Sequence, residues 1–448
     1  MWPNTSDYST YHIGFDDTDS SEGMCTTFLC YMLTKELLAD NQTRLLDYPN
    51  LIRLNPNIPW KTRGNAALCL RIESKIPKEE LFNICKRYIK RLATSPRANS
   101  GLVILHGESV PEEIQDFSRR ALWSVLGLHE AREIISDNSL NSFSLRSGQG
   151  LVGALAAVGN MLLHDHTFEI IAYRREVKEP RLIEASKVML MNKLTSPATF
   201  SNYDPVHDRI MISPHGPDPV LCGIRGETAQ ATKTAFNMLL PIQNLRGWMI
   251  FRSNQGTGEH LGQTLTLDKP KAYLSGKVIG MVKSNPRTEV GGHVYFEIEN
   301  EEGAIPCACY EPTASFRNHA KQLAQGDIIE AGGGIRKSTA LHPKILNLEY
   351  FRPIKLAKKI QYKNPSCPKC GASMSSMGRL QGLRCRKCRN IISVLQKMRV
   401  ELPRKLETER TYSPPIKAQR HLTKPDQRIE FAGKRLAKPV KLIQGWIG

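Results

Sequence analysis

Apolar positions along the chain form short runs and helical stripes, and each change of period marks an element. Residues 11–15 are an apolar run that predicts a strand, and residues 26–38 carry Leu29, Met32, Leu33 and Leu37 on one helical face. A strand is expected over 66–72, with helices over 77–92 and 111–126. Between the first helix and that strand, Pro56 and Pro59 make 51–65 a rigid, non-helical segment. A helix of small residues opens at Gly148. Beyond it the pattern predicts a strand over 167–174, a helix over 184–194, strands over 199–203, 209–212 and 220–224, a helix over 228–240 and a strand over 248–251. Strands and helices in this mixed order suggest a compact α+β unit of ferredoxin-like type. Five strands follow, over 273–282, 293–298, 304–310, 327–335 and 344–351, with a helix over 315–322 between the third and fourth. That placement predicts an OB-fold, a barrel often used for single-stranded nucleic acid; a generic small β-barrel is the other reading.

Length and charge narrow the classes. The 448 residues are 40% hydrophobic, enough for about three or four cored domains. The net charge of +19, from 62 basic and 43 acidic residues, suits a polyanionic partner. No apolar run approaches the roughly 20 residues of a spanning helix. Residues 1–7 lack the basic and apolar regions of a signal peptide, so a cytoplasmic protein is expected. Of 11 cysteines, Cys25, Cys30, Cys69, Cys85, Cys222, Cys307 and Cys309 are scattered, which argues against a disulfide-stapled secreted fold. Most of these read as small buried hydrophobes.

The other four stand as Cys367, Cys370 and Cys385, Cys388, two CxxC pairs 14 residues apart. Two such knuckles complete a tetrahedral, closed and therefore structural Zn²⁺ site of zinc-ribbon type. Residues 355–400 hold 12 Lys or Arg and no Asp or Glu, which favours nucleic acid over a merely solvated face. After Thr411 the chain has eight basic and two acidic residues and four prolines. It reads as poorly packed, with Tyr412, Phe431 and Trp446 free to stack or dock.

The candidate chemistry sits in Gly14-Phe15-Asp16-Asp17-Thr18-Asp19-Ser20 and Gly23-Met24-Cys25-Thr26-Thr27. Three clustered carboxylates repel unless a divalent metal carrying phosphate neutralises them; a polar turn with helix-capping residues is the plain alternative. Asp16, Asp17 and Asp19 are candidates for holding Mg²⁺ or orienting water and phosphate, and Thr26 stands at a helix N-terminus, where free N–H groups favour an anion. Lys61 and Arg63, beside Gly64, are placed to neutralise a triphosphate, or else form a solvated basic loop.

The same stretches, with 53–65 (RLNPNIPWKTRGN), 148–159, 167–174 (TFEIIAYR), 214–227 (PHGPDPVLCGIRGE) and 252–257 (RSNQGT), resemble the archaeal 2-agmatinylcytidine synthetases of isoleucine tRNA over roughly residues 11–400. Phe15 stands where an aliphatic residue is expected, a conservative departure on a buried strand. The resemblance implies a multidomain α+β chain: a kinase-like α/β domain over 1–126, a ferredoxin-like domain with the agmatine site over 127–265, an OB-fold over 266–354, a zinc ribbon over 355–400 and a basic tail over 401–448. It implies that ATP activates the C2 oxygen of the wobble cytidine in a CAU anticodon and that agmatine displaces the phosphate. It also implies that Thr26 becomes phosphorylated by the enzyme itself. For agmatine, which carries a guanidinium and an amine, the expected contacts are Asp204 and Glu227 with backbone near Gly216 and Gly223. The rival readings are a metal-dependent nuclease using Asp16, Asp17 and Asp19, and a non-enzymatic single-strand-binding protein.

Overall fold

The computed structural model describes residues 8–19, 24–61, 64–93, 95–96, 98–340, 342–378, 381–393, 397–429 and 441–448. The first part contains β1 (Ser9–Asp16), α1 (Thr26–Leu37), β2 (Thr43–Leu45), β3 (Asn50–Arg53), β4 (Ala66–Ser74), α2 (Lys78–Leu92), β5 (Gly101–His106), α3 (Glu112–Ala121), α4 (Leu128–Asp137), β6 (Asn141–Ser144) and α5 (Gly150–Gly159). Then come β7 (Thr167–Arg174), α6 (Ala185–Thr195), β8 (Thr199–Phe200), β9 (Tyr203–Asp204), β10 (Arg209–Ile210), β11 (Val220–Gly226), α7 (Ala229–Asn237) and β12 (Leu245–Ser253). One ten-stranded sheet runs through both parts in the order β6-β5-β1-β4-β3-β12-β7-β11-β8, with β2 also paired to β4. The junction is a parallel pairing of β3 with β12, Asn50 opposite Arg252 and Leu51 opposite Ser253.

The central strands are buried on both faces, so β1 reads as a nearly continuous apolar run. On one face α1 and α2 cover Ile13, Phe15, Leu68 and Leu70. On the other, α3, α4 and α5 pack with Val103, Phe117, Ile134 and Ala154 in a second core. The small side chains of α5 let it lie flat on the sheet; all but one of its ten residues are buried. Arg71, buried on β4, donates to the carbonyls of Ala157 (3.4 Å), Val158 (3.2 Å) and Asn160 (2.7 Å). These are the acceptors a helix leaves unpaired at its C-terminal end, so α5 is anchored to the sheet.

Five elements of the first part were not foreseen: β2, β3, β5, α4 and β6. The run Leu102-Val103-Ile104-Leu105 of β5 was the visible signal. Because β6 pairs with β5 and α4 shares the core with Phe117 and Ala154, the expected division after 126 would cut through one packed unit. The helix expected over 111–126 ends at Ala121.

The barrel comprises β13 (Ser275–Val282), β14 (Arg287–Thr288), β15 (Val294–Asn300), β16 (Gly303–Cys309), α8 (Ser315–Ala320), β17 (Ile328–Arg336) and β18 (Ile345–Lys355). Its five long strands close through β13–β17, β17–β18, β16–β18, β15–β16 and β13–β15, with β16 and β18 parallel. The five expected strands all reappear here, with β18 extended at its far end. The ribbon follows: β19 (Ile360–Lys363), β20 (Met374–Ser376), β21 (Leu383–Cys385), β22 (Ile391–Ile392) and β23 (Met398–Glu401), with β19 and β23 paired at its base.

In its described parts, 412–429 and 441–448, the C-terminal segment overturns the expectation of a poorly packed tail. Tyr412 stacks on Phe351 of the barrel, with ring centroids 5.2 Å apart. Trp446 meets Tyr48 edge-on at 6.0 Å, and Ile447 bridges to Met249 of β12. Neither Tyr412 nor Trp446 is therefore free to stack on a partner; Phe431 lies outside the described residues. Arg428 is fully buried. All seven scattered cysteines are free and buried, as expected. Among the described residues, no helix is long and apolar enough to cross a membrane.

Candidate active site and zinc centre

The loop leaving β1 separates two cavities. Asp17 turns the chain with a φ of 52°, in the left-handed region. Its carbonyl accepts from Ser100 Oγ (2.9 Å) and its Oδ2 from the Asn99 backbone N–H (3.1 Å), while Oδ1 is buried with no hydrogen-bond partner. Asp16 lies against Gly153 of α5; a Cβ there would sit 1.9 Å from Asp16 Oδ2, so only glycine leaves room for the carboxylate. Burial, then the charges of Asp17 and Asp19, hold the Asp16 carboxyl well above its usual range. Burial raises Asp17 as well. Two crowded carboxylates, one with an orphaned oxygen, form a donor set that fits a divalent cation.

Both carboxylates line a cleft that has Leu54, Ile58, Trp60, Val125 and Leu126 on its apolar side and Lys61, Gln149 and Gly150 on its polar side. Burial, then the charge of Arg420, lowers the Lys61 ammonium. A flat apolar wall beside a cation, a helix N-terminus and paired carboxylates suits a nucleoside triphosphate. Arg63 lies outside the described residues.

Asp19 belongs to the other side. Its Oδ1 accepts from the Thr26 backbone N–H (2.9 Å) and from Thr26 Oγ1 (3.1 Å), and Thr18 Oγ1 donates to Thr26 Oγ1 (3.2 Å). Cys25, at the N-cap of α1, makes no side-chain cap, so Asp19 supplies it from the loop and holds the Thr26 hydroxyl. Asp19 and Thr26 face a cavity of about 440 Å³ that also exposes Arg53, Gly64, Glu169, Gly216, Asp218, Gly223, Arg225 and His421. Glu169 lies mid-strand on β7 beside Gly223; its Oε1 is 3.5 Å from Arg225 Nε and its Oε2 accepts from Gln255. Arg53 donates from Nε to Gln255 Oε1 (3.0 Å), and burial brings its guanidinium down to about 10. Cys25 lines the cavity too, but burial, then Asp19, pushes its thiol up to about 12, so it stays protonated and is no nucleophile.

Of the expected agmatine residues, the cavity brings together Gly216 and Gly223 and excludes both carboxylates. Asp204 is buried and accepts from His207 Nδ1 (2.8 Å) and the Val206 N–H (3.0 Å). Glu227, just past β11, pairs with Arg428 Nε at 2.5 Å. The acidic groups at the cavity are Asp19, Glu169 and Asp218. Glu169 was legible as the one charge inside the apolar run TFEIIAY. Arg225 and His421 carry no comparable local signal.

In the ribbon, the sulfurs of Cys367, Cys370, Cys385 and Cys388 all lie within 4.8 Å of one another. A zinc ion about 2.3 Å from each would space them about 3.8 Å apart, so the set fits one tetrahedral ion. The backbone N–H groups of Lys387 and Cys388 both point at Cys385 Sγ at 3.4 Å and favour its thiolate. Cys385→Ser should therefore release zinc, measured with a metal-sensitive dye, and unfold the ribbon while leaving the melting of the first two parts intact. Loss of both melting transitions would mean that the ribbon supports the whole fold.

Comparison with known proteins matches three family models in the same order. The TiaS TCKD domain covers residues 12–147, the TiaS FLD domain 148–260 and the TiaS C-terminal zinc ribbon domain 364–406. The isoleucine-tRNA 2-agmatinylcytidine synthetase TiaS of Cenarchaeum symbiosum is 38% identical over 94% of this chain and 95% of its own length. The chain belongs to the TiaS family of isoleucine-tRNA 2-agmatinylcytidine synthetases. The Pyrococcus horikoshii synthetase is 39% identical over 92% of this chain and 96% of its own. Among solved structures, the complex of TiaS with its isoleucine tRNA and ATP matches with a TM-score of 0.81 and 35% identity over 96% of this chain and 99% of that one. The complex of TiaS with the same tRNA, AMPCPP and agmatine matches with a TM-score of 0.79 and 33% identity over the same shares. The first two family models meet between residues 147 and 148, which places β6 and α4 with the first unit, as the sheet does.

Proposed function

We propose that this chain is an ATP-dependent ligase that joins agmatine to C2 of the wobble cytidine in the CAU anticodon of isoleucine tRNA, giving 2-agmatinylcytidine. One observation carries the mechanism: a single loop presents Asp16 and Asp17 to the cleft lined by Leu54, Trp60 and Lys61, and Asp19 with Thr26 to the neighbouring cavity. The first unit acts as a kinase-like domain, the second as a ferredoxin-like domain, and the barrel, whose long strands close in the order 1-2-3-5-4-1, as an OB-fold. The work takes place where tRNA is, in the cytoplasm.

The adenine lies on the apolar wall that includes Leu54 and Trp60, and the triphosphate runs toward Lys61 and the N-terminus of α5. Asp16 and Asp17 would hold Mg²⁺, which would supply positive charge to neutralise the phosphates. Asp19 fixes the Thr26 hydroxyl at the mouth of α1, in position to receive a phosphoryl group. The wobble cytidine leaves the anticodon stack to enter the larger cavity, as base-modifying enzymes require. There the guanidinium of agmatine meets Glu169 and Asp218, with the backbone at Gly216 and Gly223 alongside, and the amine is left facing C2. An amide-like oxygen leaves poorly, so its phosphorylation turns a poor leaving group into a good one.

A two-metal nuclease would need Asp19 beside Asp16 and Asp17; instead Asp19 is turned away and bonded to Thr26. The decisive assay incubates the protein with ATP, Mg²⁺, agmatine and a CAU-anticodon isoleucine tRNA transcript, then weighs the wobble nucleoside. The expected result is a gain equal to agmatine less one water. An unchanged mass, or a cleaved strand, would sink the reading.

A further inference from the structure

The larger cavity has one wall that comes from the far end of the chain. Residues 420–423 are clamped from three directions. Arg420 Nη1 donates to the Pro56 carbonyl (2.8 Å) in the first unit. The carbonyls of His421 and Leu422 accept from the N–H groups of Gly256 and Gly258, both at 2.8 Å, just beyond β12. Arg420 Nε and Thr423 Oγ1 each approach Glu349 of the barrel at 3.2 Å. A backbone held on both sides cannot let the His421 side chain wander, and His421 projects into the cavity.

Its ring chemistry follows from one contact. His421 Nδ1 is 2.6 Å from Arg225 Nη2. Arginine has only donors, so Nδ1 must be the acceptor, and the imidazole is neutral with its proton on Nε2. That edge of the ring faces Gly64, where a Cβ would lie 2.5 Å from Cδ2 and 2.8 Å from Nε2; only glycine admits it. Among the described residues no acceptor meets the Nε2 proton. The charge of Arg53, then burial, then the charges of Arg225 and Lys61, keep the ring well below its usual pKa. His421 is therefore neither acid nor base at working pH. What remains is a fixed N–H donor in a corner shared with two guanidinium groups.

The cavity is thus divided by charge. Asp19, Glu169 and Asp218 suit the cationic amine substrate, and Arg53, Arg225 and His421 suit an anion. We propose that His421 is a further substrate-positioning residue of the synthetase: its Nε2–H, with Arg53 and Arg225, binds the phosphoryl oxygens carried on the cytidine C2 oxygen and holds that phosphate as it leaves. This rests on the synthetase reading. In the step concerned the agmatine nitrogen forms a bond to C2 and the C2–O bond breaks. Its electron pair departs with the phosphate, which also takes the proton lost by the amine. The C-terminal segment is then part of the active site rather than an appendage.

The test compares His421→Leu with His421→Gln, which restores an acceptor for Arg225 and a donor for phosphate. Product is weighed as above, and ATP affinity is measured by fluorescence displacement. His421→Leu should lower kcat for agmatine transfer about 10²–10³-fold, the scale of losing one preorganised donor to a developing anion, with ATP affinity unchanged within about twofold. His421→Gln should return to within about tenfold of the parent protein. The proposal is overturned if His421→Leu stays within about threefold of the parent kcat, if His421→Gln is no better than His421→Leu, or if ATP affinity falls as far as kcat. A parent protein that makes no product would instead overturn the synthetase reading.

Discussion

Asp16→Asn should stabilise the metal-free protein and abolish tRNA modification. The Asp16 carboxyl lies well above its ordinary value of 3.8 in the fold, by burial first and by Asp17 and Asp19 next. A folded state that binds a proton more tightly than the unfolded chain loses stability as pH rises from about 3.8 through the raised value. At neutral pH the parent therefore lacks stability that it has below about 3.8, a loss that Asn does not suffer. Thermal melts without metal should show the variant melting higher at pH 7, with the difference shrinking toward pH 4. Added Mg²⁺ should raise the melting point of the parent and leave the variant nearly unmoved. Product formation should fall by at least about 10³-fold, since both a charge and a metal ligand go. A variant that melts lower than the parent without metal would mean that Asp16 serves the fold and not the cation.

Arg428→Leu should release the C-terminal segment. The guanidinium is fully buried, with Glu227 Oε1 at 2.5 Å and Asp165 Oδ1 at 2.7 Å. Removing one member of a buried charge group costs about 3–5 kcal/mol, because the remaining carboxylates stay desolvated. The loss should appear as rapid tryptic cleavage within residues 412–448 and, since His421 shares the strap, as a loss of agmatine transfer larger than any loss of ATP binding. Combining Arg428→Leu with Glu227→Met should recover much of the protease resistance, as Asp165 keeps Lys424 at 3.1 Å. No recovery would locate the damage in lost packing rather than in stranded charge.

These two sites mark how far the sequence could be read. Asp16, Asp17, Asp19 and Thr26 could be singled out because strand, loop and helix are neighbours in the chain and their residue types have few other uses together. The zinc ligands were legible for the same reason. What spacing could not show was the loop's division of labour, with Asp16 and Asp17 on one side and Asp19 on the other, because that depends on the turn at Asp17. Asp204 and Glu227 were chosen by nearness to a motif, and neither lines the cavity. Which carboxylates reach the cavity is decided by strand pairing: Glu169 on β7 stands opposite Arg225 of β11, Gly223 on the same strand leaves room for its carboxylate, and Glu227 emerges beyond β11 toward Arg428. The tail looked unstructured because it has almost no periodic pattern. Its partners lie far upstream, from Phe351 for Tyr412 to Tyr48 for Trp446, and irregular backbone can pack tightly when each carbonyl finds a donor.

The parallel pairing of β3 with β12 also has a history in time. Until β12 exists, β3 is the open edge of its half of the sheet, with Ile52 and Leu51 on a strand meant to be fully buried. Ser253 stands 202 residues after Leu51, so at about 5–20 residues per second the ribosome leaves that edge bare for roughly 10–40 s. An unpaired apolar edge is the surface on which nascent chains join one another. The yield of this protein in a cell should therefore depend on what shields β3 during synthesis, a vulnerability invisible in the finished molecule.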